Sequence, residues 1–243
     1  MRESQAIIER VTRLSAALAR VELAADFAPG SIQPGQYLLA RSGEGWEPYL
    51  RERWQPVRIT DGMIVVDRPV SAQDAPGQVV SLLGPCGRPA PLRKDARHLL
   101  LIAYEAAPSP LVGLALHALD EGRSVTLVLG GAASQYPLSA LPAELEVLNA
   151  AEDWKWPAQV DAFGWAAQVV ALAPYTDAPY YAQLWQTIHR LRIQVPEGFA
   201  LGYFLPPMPC GVGACGACLV RGRRRDYRAC VDGPVLDLSK LSL

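Results

Sequence analysis

Pro209-Cys210-Gly211-Val212-Gly213-Ala214-Cys215-Gly216-Ala217-Cys218, followed after eleven intervening residues by Cys230, is the most informative stretch of the chain. The pattern C-x4-C-x2-C…C is the ligand spacing of one class of 2Fe–2S centre. A loop that wraps two irons and two sulfides must turn tightly and bring backbone N–H groups close to sulfur. Gly211, Gly213, Ala214, Gly216 and Ala217 permit both. Cys210, Cys215, Cys218 and Cys230 are therefore the candidate metal ligands. Two other readings stand beside this one. Cysteines that merely fill a core need neither this spacing nor this glycine density. Zinc accepts four thiolates, but structural zinc sites usually use paired short spacings. The fifth cysteine, in Gly84-Pro85-Cys86-Gly87, reads as a small apolar filler near a turn.

Between the third and fourth cysteines lie Arg221, Arg223, Arg224, Arg225 and Arg228, against one acid, Asp226. The plain reading is a solvated hairpin tip. The sharper one is a positive collar, which would raise the potential of a negatively charged cluster or dock an acidic partner.

Outward from this loop, the chain divides into three zones. Residues 1–92 alternate short β segments with turn signals: Ile7–Leu14, Leu18–Leu23, Tyr37–Ala40 after Pro34-Gly35-Gln36, Met63–Val66 and Gln78–Leu83. Such spacing suggests a small barrel or sandwich. Residues 93–197 hold a buried-type strand, Arg97–Ala103, and a helix over Pro110–Glu121 with Ser109 as N-cap and Gly122 just past its end. A second strand, Ser124–Gly130, completes a βαβ unit, which implies a parallel sheet. Further strands are expected at Ala158–Phe163 and Gln168–Ala173, and a helix at Pro179–Leu191. Residues 198–243 are turn-rich and hold four of the five cysteines.

Composition narrows the function classes. Half of the 243 residues are hydrophobic and 23 basic residues face 24 acidic ones, so the chain can build a core and has no field that would draw nucleic acid. Residues 1–20 carry four arginines and two glutamates with no unbroken apolar run, so no secretory signal is expected. The most apolar stretch, Leu99–Leu119, contains Glu105, Pro108 and Pro110 and reads as a strand plus a helix, not a membrane span. A soluble, cytoplasmic protein is expected, with its cysteines as ligands or fillers and not disulfides. His98, His117 and His189 are scattered, and no catalytic set emerges.

The cysteine loop together with Cys230-Val231-Asp232-Gly233-Pro234 resembles the C-terminal cluster domain of the electron-transfer subunit of type B dihydroorotate dehydrogenase. Pro34-Gly35-Gln36-Tyr37 and Leu83-Gly84-Pro85-Cys86-Gly87 resemble two further segments of that family. The resemblance implies a ferredoxin-reductase-like β-barrel, then a parallel-sheet nucleotide-type α/β domain, then a small C-terminal 2Fe–2S domain. It also implies FAD at the barrel and a separate FMN-dependent dehydrogenase subunit as partner in a hetero-oligomer, serving pyrimidine biosynthesis, with no nucleic acid and no membrane involved.

The departures from the family pattern lie at its two nucleotide sites. Its Arg-Arg-Pro-hydrophobic-Ser flavin motif corresponds to Leu50–Ile59, where Pro56 and Val57 fit, Arg58 stands at the serine position and the spacing before Pro56 is altered. Arg51, Arg53, Pro56 and Arg58 are the candidate flavin-binding residues, since arginines can hold a diphosphate by charge. The glycine-threonine segment that would meet the pyrophosphate has no counterpart between Val65 and Leu82. After the first strand of the α/β zone, the family's glycine-rich turn is replaced by Ala103-Tyr104-Glu105-Ala106-Ala107-Pro108-Ser109. Side chains fill the space, and Glu105 puts negative charge where a pyrophosphate would lie. FAD stands as a candidate cofactor and NAD(H) is not expected. The alternative function is a cluster-bearing accessory module that has lost both nucleotide ligands.

Overall fold

The computed structural model describes residues 1–25, 32–42, 50–60, 62–151, 155–176 and 178–243. The first seven strands are β1 (Arg2–Arg13), β2 (Leu18–Ala25), β3 (Tyr37–Ser42), β4 (Glu52–Trp54), β5 (Pro56–Thr60), β6 (Met63–Pro69) and β7 (Val79–Cys86). They form one antiparallel sheet in the order β4-β3-β7-β1-β2-β6-β5. Strands β4 and β5 lie at opposite edges, yet only Gln55 separates them in the chain, so the sheet must curl until its edges nearly meet. Alternation makes this possible: in β2, Ala19, Val21, Leu23 and Ala25 are buried and their neighbours are not. The inward set packs with Ile8, Leu38, Trp54, Ile64, Val66 and Leu82 into the core of the curl.

The second half contains β8 (His98–Tyr104), α1 (Ser109–Asp120), β9 (Ser124–Gly130), β10 (Glu146–Asn149), α2 (Gln159–Trp165), β11 (Gln168–Leu172), α3 (Ala178–Leu191), β12 (Ala200–Tyr203), β13 (Leu219–Val220), β14 (Tyr227–Arg228), α4 (Ala229–Asp232) and β15 (Val235–Asp237). A six-stranded sheet runs β10-β9-β8-β11-β12-β15, parallel except for β15. Its central strands are buried on both faces, as a sheet covered by helices requires. Along β8, Leu99, Leu101 and Ala103 face α1, while Leu100 and Ile102 face α2 and α3. Strand order reverses between β8 and β11, which makes the C-terminal ends of those two strands the switch point of the fold.

Two polar clips join the halves. Asp67 on β6 is fully buried and accepts two hydrogen bonds from Arg20, at 2.7 and 2.9 Å, and a third from the Tyr136 hydroxyl. Buried Gln168 accepts from the Arg93 N–H at 3.0 Å and donates to the Pro91 and Gly198 carbonyls. Both clips satisfy groups that would be costly if left unpaired.

Several local expectations are corrected. Residues 158–163 begin a helix, not a strand. Pro157 precedes it, Asp161 lies in its first turn where the helix dipole favours it, and Phe163 alone is buried while Val160 faces solvent. The Val160-Asp161-Ala162 alternation imitates a strand. Ser109 does not cap α1; Pro108 occupies that position and Ser109 is buried inside the first turn. Gly122, at φ +73°, does close α1, with N–H bonds from Gly122 to Leu119 and from Arg123 to Ala118. Strands β4, β5, β10, β12, β13, β14 and β15 were not expected from the sequence. Among the described residues no helix is long and apolar enough to cross a membrane.

Candidate iron–sulfur site

The cysteine loop is an excursion between two strands of the parallel sheet. The chain leaves β12 through Leu205–Pro209, forms the loop, turns back in the β13–β14 hairpin, enters α4 at Ala229 and rejoins the sheet at β15. Its underside rests on the barrel. Met208, Cys218, Ala229 and Cys230 pack with Tyr37 and Leu39 of β3 and Cys86 of β7. The Tyr37 hydroxyl reaches the Cys230 carbonyl at 3.5 Å, and the Ala229 N–H donates to the Cys218 carbonyl at 3.0 Å. Gly211 and Gly213 hold φ of +64° and +75°. A Cβ on Gly211 would stand 2.8 Å from Leu39, and one on Gly213 2.7 Å from Val231, so the loop lies too close to its support for side chains there.

The four loop cysteines are graded by depth: Cys218 and Cys230 are buried, Cys210 is half-buried and Cys215 is exposed. Cys215 lies close enough to Cys210, and Cys218 close enough to Cys230, to influence its thiol. Burial raises the Cys210 thiol, but the N–H groups of Cys215, Val212 and Ala214, together with the Cys215 side chain, outweigh it and bring it down to about 6. Burial and the neighbouring Cys218 push Cys230 up to about 12, opposed by the Gly213 N–H, which lies 3.2 Å from its sulfur. Four sulfur donors in one glycine-rich segment, with N–H groups directed at Cys210 and Cys230, suit an iron–sulfur cluster, so the residues present fit the group. Among the described residues no three His, Cys, Asp or Glu side chains converge as ligands of a single ion would. Cys86 sits buried beneath Gly211, pushed up to about 11 by burial, a neutral thiol suited to filling space.

The arginines between the cysteines disperse. Arg228 lies against the loop, reaching the Gly213 carbonyl at 3.4 Å. Arg225 pairs with Asp232 and stacks on Tyr227, and Arg223 donates to the Leu241 carbonyl. Arg223, Arg224 and Arg225 line a separate groove with Lys240.

The candidate flavin residues also separate. Arg51 and Arg53 line a cavity of about 620 Å³ that reaches Pro207–Pro209 of the cluster segment. Pro56 and Arg58 line another, of about 490 Å³, between β5 and α1. Arg51 is committed to the Ser81 carbonyl and hydroxyl and to Glu3, and Arg58 to Asp120 at 3.6 Å. Gln55, beside Pro56, donates to the Tyr203 hydroxyl at 3.0 Å. Arg53 donates to the Leu205 and Pro206 carbonyls at 3.2 and 3.0 Å, and burial lowers its pKa. It also borders a third cavity of about 430 Å³ at the switch point, with Gln55, Glu105, Ser109 and Thr176. Tyr37 and Arg53 contribute to the cluster segment's support in ways that spacing could not signal. The sequence shows the turn before Tyr37, a strand over Tyr37–Ala40 and Arg53 as a flavin candidate, but not these contacts.

A curled antiparallel sheet followed by a doubly wound, mostly parallel sheet defines a ferredoxin-reductase-like fold, with a four-cysteine loop near its C-terminus. A chain of an NADH-dependent reduced ferredoxin-NADP oxidoreductase superposes with a TM-score of 0.72 at 18% identity, covering 98% of this chain and 89% of that one. The ferredoxin reductase of carbazole 1,9a-dioxygenase gives 0.60 at 18% identity, covering 82% and 68%.

The particular resemblance is narrower. Residues 206–242 match the iron-sulfur cluster binding domain of dihydroorotate dehydrogenase B. The electron transfer subunit of dihydroorotate dehydrogenase B (NAD(+)) from Shouchella clausii is 28% identical over 233 residues, covering 87% of each chain. That of Desulforamulus reducens is 26% identical over 236 residues, covering 83% of this chain and 84% of the relative. The chain is thus a divergent relative of these electron-transfer subunits.

Proposed function

We propose that this chain is an electron-transfer subunit that relays electrons through a 2Fe–2S cluster, held by Cys210, Cys215, Cys218 and Cys230, to or from an FMN-dependent dehydrogenase subunit of the dihydroorotate type. The observation that carries this reading is the C-x4-C-x2-C…C loop itself, which lies within the segment matching the iron-sulfur cluster binding domain of dihydroorotate dehydrogenase B and has a backbone N–H directed at the Cys230 sulfur. Structural zinc sites usually use paired short spacings, which this loop lacks. When bound, such a cluster supplies one-electron chemistry. The chain's own residues set its surroundings. The N–H groups of Val212, Gly213, Ala214 and Cys215 offset charge on sulfur, Tyr37, Leu39 and Met208 exclude water from the floor, and exposed Cys215 marks the open side. The units 1–92, 93–197 and 198–243 would act as flavin-type barrel, nucleotide-type scaffold and cluster carrier. Homology to dihydroorotate dehydrogenase B subunits supports a cytoplasmic role in pyrimidine biosynthesis.

A second reading is favoured by the fate of the flavin candidates. Arg51 bonds Ser81 and Glu3, Arg53 bonds the Leu205 and Pro206 carbonyls, and Arg58 faces Asp120 in a different cavity, so the three arginines do not converge on one diphosphate. In this reading the protein is an accessory module whose nucleotide sites are lost and whose cluster is docked onto a partner oxidoreductase. Acid release and chromatography of flavin from anaerobically purified protein separates the two. Stoichiometric FAD supports the flavin relay and overturns the accessory reading; cluster absorption without flavin does the reverse.

A further inference from the structure

Glu105 leaves β8 at the switch point with φ +51°, the one left-handed backbone angle outside glycine among the described residues. That conformation is costly for a side chain with a Cβ, so the surroundings must hold it. They do so through the carboxylate. Oε2 accepts the Ala132 N–H at 3.1 Å, and Oε1 rests on Gly131 so closely that a Cβ there would stand 2.1 Å away. The Glu105 N–H meanwhile donates to the Gly130 carbonyl at 3.1 Å. One residue therefore ties the end of β8 to the turn at 131–132, with its exposed side chain at the edge of the switch-point cavity.

The neighbours complete the closure. Tyr104 covers Gly130, where a Cβ would stand 2.9 Å from the ring, and stacks on Tyr180 with centroids 5.3 Å apart and planes 5° from parallel. Across the crevice, α1 begins Pro108-Ser109-Pro110, and neither proline has an amide hydrogen to offer an anion. Dinucleotide recognition at a doubly wound sheet depends on free N–H groups and open glycine backbone around a phosphate. Here the Ala132 N–H is already taken by a carboxylate, and the first turn of α1 is short of donors.

We propose that Glu105 is a specificity-determining residue whose carboxylate, by taking the Ala132 N–H and setting a negative charge at the edge of the crevice, turns pyridine dinucleotides away. This rests on the electron-relay reading above and sharpens it, by assigning the exclusion of NAD(H) to one side chain.

The test is calorimetric titration of the full-length, cluster-loaded protein with ADP-ribose and, separately, with NADH. The wild type is compared with Glu105→Gly, Glu105→Asn and Glu105→Gln. Glycine is at home at this backbone angle and asparagine tolerates it, so two variants keep the fold while removing the carboxylate. The expected result is no saturable binding by the wild type and a gain of roughly tenfold or more in affinity for Glu105→Gly. Glu105→Gln, which loses the charge but keeps the bulk, should gain less. Wild-type binding equal to that of Glu105→Gly overturns the proposal, as does the absence of binding in natively folded Glu105→Gly and Glu105→Asn. The visible spectrum of the same samples reports the cluster independently, so failure of the relay reading and failure of the Glu105 assignment are told apart.

Discussion

Cys210 stands at the rim of its loop and Cys230 at its floor, and their thiols shift in opposite directions. In cluster-free protein, Cys210, lowered to about 6, is a thiolate at pH 7, whereas Cys230 at about 12 and Cys86 at about 11 remain neutral. Only the thiolate attacks an alkylating agent. Iodoacetamide labelling read by mass spectrometry should therefore find Cys210 modified well before Cys230 and Cys86, its rate rising through pH 6 and levelling above it. Equal rates at Cys210 and Cys230 would contradict the geometry. The linkage has the sign of a depressed acid: the stability it contributes is present above the unfolded thiol's pKa and is lost as pH falls through about 6. The four candidate cysteines were legible as a group because their spacing lies almost wholly within one loop. The roles of Arg51, Arg53 and Arg58 were not, because Ser81, Leu205 and Asp120 are distant in sequence and only the fold brings them near.

Elements built from uninterrupted apolar runs were the easiest to read. β8, β9 and β11 are buried on both faces, and α1 between them ends at a left-handed glycine. Short elements were not legible. β10 and β15 have four and three residues, and α2 has too few turns for its period to outweigh a local alternation. Polar residues inside such runs are the other hidden feature. Gln168 interrupts nothing in the pattern, yet it ties the connection between the sheets to β11 and to the turn before β12. Gln168→Leu would leave one N–H and two carbonyls without that partner in a buried setting. The expected cost is about 3 kcal/mol, read as a lowered midpoint in urea unfolding, with cluster absorption retained in the folded protein. An unchanged midpoint would show that water takes the amide's place.

At the scale of the molecule, the cluster segment begins and ends on the parallel sheet while its floor is the barrel, so both halves must be placed before the four sulfurs are. The buried Asp67–Arg20–Tyr136 clip and the Gln168 clip fix that placement. Fold class was readable as a barrel followed by a βαβ unit. That the cysteine loop is strung between two strands of the second sheet follows only from β12 pairing with β15, which no local pattern announces. The central claim concerns what this arrangement holds. Iron, zinc and acid-labile sulfide should be measured on anaerobically purified protein, with the electron paramagnetic resonance spectrum of the dithionite-reduced sample. About two irons and two sulfides per chain are expected, with a single spin-half signal on reduction. One zinc per chain, with no sulfide and no signal, would contradict it.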